Sequence, residues 1–152
     1  MSFVVVDARP LIHGLYLLGL IAVAATDLRW RSVFRVMSFI MITAVLMTAG
    51  LFFGEWEAST GGSVFGAGVF GLLYGIGRLL YGSREPLGSG DIVVAGLVGA
   101  MVGFPRVILA LLMGVLLNGA LGLCALLAGR GRASHIAYSP GLCLGGAIAL
   151  LA

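Results

Sequence analysis

Six apolar runs, each closed off by charge, glycine or proline, constrain this chain more than any other feature. They lie at about 11–26, 36–54, 62–81, 91–104, 106–128 and 138–152. A helix of roughly 20 apolar residues spans the hydrocarbon core of a bilayer, and shorter runs manage it by thinning the bilayer or snorkelling their flanks. With 61% hydrophobic and only 10% charged residues among 152, the chain is far more apolar than a typical soluble domain. The reading is an all-α polytopic membrane protein, a bundle of about six transmembrane helices forming a single membrane-embedded domain over residues 1–152. Pro105, behind Gly103 and Phe104, should end the fourth run and start the fifth, making the two a tight hairpin. The opening MSFVVVDARP lacks a basic segment followed by a small-residue cleavage site, so no cleavable signal peptide is expected.

Charge supplies the orientation. All nine basic residues are arginine, and the net charge is only +3, which speaks for topology rather than for nucleic-acid binding. Seven of the nine close or follow the first, third and fifth runs: Arg29, Arg31 and Arg35, then Arg78 and Arg84, then Arg130 and Arg132. Basic residues mark the cytoplasmic side. The loops at 27–35, 82–90 and 129–137 are therefore expected inside, and both termini outside, in the cytoplasmic (inner) membrane. Trp30, Trp56, Tyr74, Tyr81 and Tyr138 fall near run ends and read as an interfacial belt.

The 25 glycines have a use in this setting. Gly62/Gly66, Gly71/Gly75, Gly99/Gly103 and Gly141/Gly145 are GxxxG pairs, which let helix backbones approach where lipid gives no hydrophobic drive for association. Packing within the chain is the expected role, with a homo-oligomer face as the lesser alternative. Cys124 and Cys143 lie in apolar runs without CxxC spacing and read as small buried packing residues. Asn118, inside the fifth run, suits a hydrogen bond between helices. His13 and His135 have no second ligand at metal spacing, so neither a metal nor a cofactor is expected. Arg84 and Glu85, which flank the Gly88–Asp91 loop, read as solvated loop charges, with substrate binding as the lesser alternative.

Of the six acids, only Asp27 and Asp91 abut apolar runs on the inner side, in LIAVAATDLRWR and EPLGSGDIVVAG. A carboxylate at such a depth costs a few kcal/mol on insertion scales and by default marks a function or a partnered charge. The structural alternatives are an ion pair of Asp27 with Arg29 or Arg31, and a helix cap by Asp91. The first run descends and the fourth ascends, so close packing of the two would bring the carboxyls together. Two such groups share a proton and act as general acid and base on a water. Gly88 and Gly90 let the backbone ahead of Asp91 turn and let an extended peptide lie against it. A Cβ at Gly90 is expected to strain the backbone or block that peptide, whereas Ser89 shows no need for its hydroxyl.

Gly88-Ser89-Gly90-Asp91 matches the GxGD motif of intramembrane aspartyl proteases. An acid ending the first run, GxGD opening the fourth, and Ser139-Pro140-Gly141 opening the last resemble the type IV prepilin peptidase family over essentially the whole chain. The resemblance implies a membrane aspartic endopeptidase with Asp27 and Asp91 as the catalytic pair, and with Gly88, Ser89, Gly90, Pro140 and Gly141 against the substrate. It implies cleavage, at the cytoplasmic face, of the basic leader of a prepilin or pseudopilin whose leader precedes an apolar helix. Members commonly follow the first acid with an Ile-Pro-Asn-like element, where this chain reads RWRSVFRVMS, and carry Lys where Val93 stands. Only about ten residues precede the first run, so a peptidase without a methyltransferase domain is expected, as in the short members associated with Flp/Tad-type pili or archaeal-type systems. The rival is a non-catalytic membrane scaffold or small transporter subunit that retains the two acids.

Overall fold

The computed structural model describes residues 9–30, 35–81, 88–127 and 139–151. Six α-helices take up the six expected runs: α1 Arg9–Trp30, α2 Arg35–Thr48, α3 Trp56–Tyr81, α4 Ser89–Val102, α5 Val107–Leu127 and α6 Ser139–Leu151. A π-helical turn, Ala49–Phe53, continues α2, and the described residues contain no strand. Two helical stretches, Trp56–Leu80 and Val107–Cys124, are long and apolar enough to cross a membrane, while the other four apolar helices are shorter.

The short α4 is the centre of the bundle. Nine of its residues, from Asp91 through Met101, are buried, and it packs against α2, α3, α5 and α6. A helix buried on all sides has no need of an amphipathic stripe, and its sequence, SGDIVVAGLVGAMV, shows none.

Glycine makes the closest of these contacts, between α3 and α4. A Cβ at Gly62 would overlap the Gly99 carbonyl, one at Gly66 the Ala95 carbonyl, and one at Gly99 the Gly62 carbonyl. The two helices therefore meet backbone to backbone and run antiparallel. On the far side of α4, α6 fits in the same manner against α5: a Cβ at Gly145 would meet Gly114 N at 2.6 Å. The expected packing role holds for these pairs. It fails for Gly71 and Gly75, where an added Cβ meets nothing within 4 Å; Gly71 is five residues past Gly66 and so lies on a different face of α3 from the one that meets α4.

Gly103, with φ 74°, ends α4 and begins the expected turn. The Phe104 N–H donates to Ala58 O at 2.8 Å, tying the turn to the start of α3. The sharp turn is as expected, but its two arms do not chiefly pack on each other, since α5 lies mainly along α6. Cys143 is buried as anticipated, whereas Cys124 is exposed and so does not belong to the core.

Large apolar side chains cover the outside. Leu79 is 87% exposed, Leu127 80% and Leu51 79%, and Leu11, Leu15, Leu18 and Ile21 form an exposed face on α1. The inner core is built of smaller or fewer groups, with Leu20, Phe70, Leu97, Val98, Val107 and Leu142 the largest of the fully buried residues.

Candidate active site

Asp91 occupies the third position of α4, preceded by Gly88 as the N-cap in extended conformation (φ −78°, ψ 142°). Its Oδ2 accepts a hydrogen bond from the Gly88 N–H at 3.1 Å, and its own N–H donates to Gly88 O at 3.0 Å. A capping box normally uses a Ser or Thr hydroxyl for one half of this exchange; here the glycine backbone carbonyl takes that half. The expected capping role is therefore real, although Asp91 caps from inside the helix and not from the cap position.

The other carboxylate oxygen faces α6. Ser139, the first residue of that helix, donates from its hydroxyl to Asp91 Oδ1 at 3.0 Å. Ser139 is 2% exposed and Asp91 8%, so the carboxyl is buried with both oxygens held by groups from different parts of the chain. A buried polar group that lacks such partners costs about 1–3 kcal/mol. Ser139 was legible only as part of a matching tripeptide, and its contact with Asp91 spans 48 residues.

Asp27 lies in the last part of α1; its side chain falls outside the described residues. The backbone nevertheless fixes its level. Leu20 of α1 and Val98 of α4 both flank the same face of Gly146 in α6, at 3.5 Å and 2.9 Å from where its Cβ would stand. From that level, Asp27, Asp91 and Ser139 are each seven positions toward the same end of the bundle, about two helical turns or 10 Å. The acid-bearing segments of α1 and α4 thus share one depth. They do not reach it by close mutual packing, as expected, because each packs on α6, which forms a common wall.

The remaining expected site residues separate into two groups. Gly88 and Gly90 are exposed and Ser89 half-buried, an open ledge beside Asp91. Gly90 is already helical, and a Cβ there meets nothing within 4 Å, so the expected backbone strain at this position is absent. The demanding glycine is Gly88, whose Cβ would stand 3.3 Å from Asp91 Oδ2. Pro140 sits in the first turn of α6, where its missing N–H costs no helical bond. Gly141 is buried, and a Cβ on it would overlap the Asn118 side chain of α5. Its absence of a side chain serves the α5–α6 contact, as does Asn118, which is itself buried. Arg84, Glu85 and His135 lie outside the described residues, and those residues contain no cluster of three or more metal-ligating side chains.

Residues 14–123 match the type IV leader peptidase family, and the chain belongs to that family. The match begins within α1 and ends within α5, so it includes both Asp27 and Asp91 and stops short of Ser139. By family the protein is a leader-peptidase-like protease. Comparison with curated proteins and with solved structures finds no significant match.

Proposed function

We propose that the protein is a multi-pass endopeptidase of the cytoplasmic membrane that removes the basic leader of a prepilin or pseudopilin, using Asp27 and Asp91 as an acid–base pair. The observation that carries this reading is the buried Asp91 carboxyl, fixed on both oxygens by Ser139 and Gly88, at the depth of the last turn of α1, where Asp27 lies. Membership of the leader peptidase family supports the reaction class. The outward-facing leucines and the two membrane-length helices support embedding in lipid. The arginine asymmetry supports a cytoplasmic active site with both termini outside.

In the proposed chemistry, one carboxylate removes a proton from a water as its oxygen attacks the scissile carbonyl carbon. The other, protonated, donates its proton to the carbonyl oxygen. Collapse of the tetrahedral intermediate breaks the C–N bond while the carboxyl that received the water proton passes it to the leaving amine, and one hydroxyl of the intermediate returns its proton to the other carboxylate as the C=O bond re-forms. No metal or cofactor takes part in this scheme. The exposed Gly88–Gly90 ledge is where an extended leader segment would approach Asp91, and the apolar helix that follows the leader in such substrates would remain in the lipid.

Asp27→Asn and Asp91→Asn test the assignment. Asn keeps the shape and one acceptor but cannot exchange a proton, so both variants should insert and fold while failing to process a co-expressed prepilin in a gel-shift assay. Asp91→Asn also loses one acceptance, at about 1 kcal/mol of stability. Processing at near wild-type rate by either variant would overturn the pair. A scaffold or transporter subunit, the rival reading, predicts no processing by the wild type.

A further inference from the structure

The opposite end of the bundle holds a second polar site that the peptidase reading does not use. A cavity of about 90 Å³ opens there, with His13 of α1, Glu55 and Arg106 among its lining residues. Its hydroxyl groups are occupied: Tyr16 Oη lies 2.6 Å from Thr48 Oγ1, and the Ser59 hydroxyl donates to Ala100 O at 2.6 Å. The ionisable groups are not. Among the described residues the side chains of Glu55 and Arg106 form no hydrogen bond or ion pair, with each other or with anything else, and His13 has only ring contacts, stacked on Phe53 with centroids 6.1 Å apart. The site thus offers one free cation, one free anion and an imidazole above a satisfied polar floor.

The backbone is shaped around it. The π-helical turn Ala49–Phe53 carries Phe53 to His13, and left-handed Gly54 turns the chain so that Glu55 reaches the cavity. π-helical turns recur at functional sites. The turn at Gly103 delivers Arg106. Beside that turn runs an open groove of about 510 Å³, lined by Ala58, Gly61, Val64, Phe65 and Phe104 together with Glu57, with the two phenylalanine rings edge to face at 5.8 Å. A charged site and a largely apolar groove that carries one carboxylate, Glu57, therefore flank the same few residues.

We propose that this end binds one zwitterionic aminophospholipid, with its phosphate on Arg106 and His13, its ammonium on Glu55, and an acyl chain along the Phe65–Phe104 groove. The paired opposite charges favour a zwitterion over an anionic headgroup, which would meet Glu55 without compensation. The groove favours a lipid over its water-soluble headgroup. The proposal uses the bilayer placement argued above but none of the proteolytic chemistry, so the two fail separately.

The full-length protein, purified in detergent and delipidated, would be offered phosphatidylethanolamine or phosphatidylglycerol, with retained lipid read by native mass spectrometry and stability by Tm. The expected result is one retained phosphatidylethanolamine, preferred at least about tenfold over phosphatidylglycerol, with a raised Tm. Glu55→Gln and Arg106→Gln should each remove that preference while prepilin cleavage in detergent continues at the wild-type rate. Equal retention of both lipids by the wild type, or a preference unchanged in both variants, would overturn the proposal. Soluble phosphorylethanolamine raising Tm as much as the lipid at equal concentration would overturn the acyl groove and leave a headgroup site. The wild-type lipid comparison decides the matter even if a variant fails to insert.

Discussion

Replacing Ser139 with alanine removes one hydroxyl, 3.0 Å from Asp91 Oδ1, in a place that is only 2% exposed. No water has ready access to take its position. Hydrogen bonds to charged groups contribute about 1.5–3 kcal/mol. If the bond steadies the carboxyl in the geometry that attack requires, Ser139→Ala should cut kcat/KM by between about tenfold and about 150-fold, at about 1.36 kcal/mol per decade. The loss should appear in kcat with KM little changed, because the hydroxyl contacts the carboxyl and not the substrate. Ser139→Thr keeps the donor and should retain most of the rate. The assay is the initial rate of leader removal from a purified prepilin, followed as a gel shift, with helicity by circular dichroism as the control for folding. Wild-type kinetics in Ser139→Ala would refute the positioning argument. So would a Ser139→Thr variant as impaired as Ser139→Ala, since the effect would then come from packing at the start of α6.

Gly99→Ala should sharply reduce the folded yield, because its Cβ would run into the Gly62 backbone, which cannot move aside as a flexible side chain would. Gly90→Ala should fold at least as well as the wild type, and thermal unfolding compared across the two variants checks the contrast; alanine is favoured over glycine in a helix by about 1 kcal/mol. Gly88→Ala should lower cleavage more than Gly90→Ala by crowding Asp91 Oδ2, read in the same gel-shift assay. Tyr16→Phe should lower stability by about 1 kcal/mol through loss of the hydroxyl contact with Thr48, measured as a fall in Tm without loss of cleavage. Reporter fusions within 27–35, 82–90 and 129–137 should give cytoplasmic signals, and periplasmic signals would reverse the proposed cleavage side.

The helices were legible because hydropathy, charge and Pro105 act locally: the six runs match the six helices one for one, although α3 begins at Trp56, six residues before its run at 62. Partner choice was less so. Gly62/Gly66 and Gly71/Gly75 carry the same motif in one helix, yet only the first pair has a neighbouring backbone, because the motif says nothing of which face of the helix a neighbour will cover, and Gly71 is five residues, not four, past Gly66. The π-helical turn at Ala49–Phe53 leaves no periodic signature in AGLFF. At the site, Asp91 announced itself as a charge out of place, but Ser139 did not. A serine at the start of a helix is ordinary in sequence, and its pairing with Asp91 exists only once α6 has folded onto α4. Gly90 misled in the opposite direction, its place next to the acid suggesting a strained turn where the chain has already become a regular helix.

The carbonyl-to-glycine contact between α3 and α4 also decides where the bundle can give. Backbones in direct contact have no intervening side chains to change rotamer, so these two helices neither rotate nor slide past one another without a collision, and they act as one stiff body. α1 meets its neighbours differently, through side chains: Leu20 lies against Gly146, Met41 and Met101 lie against Gly19, and the Tyr16 hydroxyl reaches Thr48. Methionine is the most adaptable of apolar side chains. The compliance of the molecule is therefore concentrated on the side of the first helix. A separation that admits a peptide beside Asp91 would be made by displacing the helix that carries Asp27, while Asp91 stays fixed on the stiff half, so that the two acids would be brought into working register by the act of closing on the substrate.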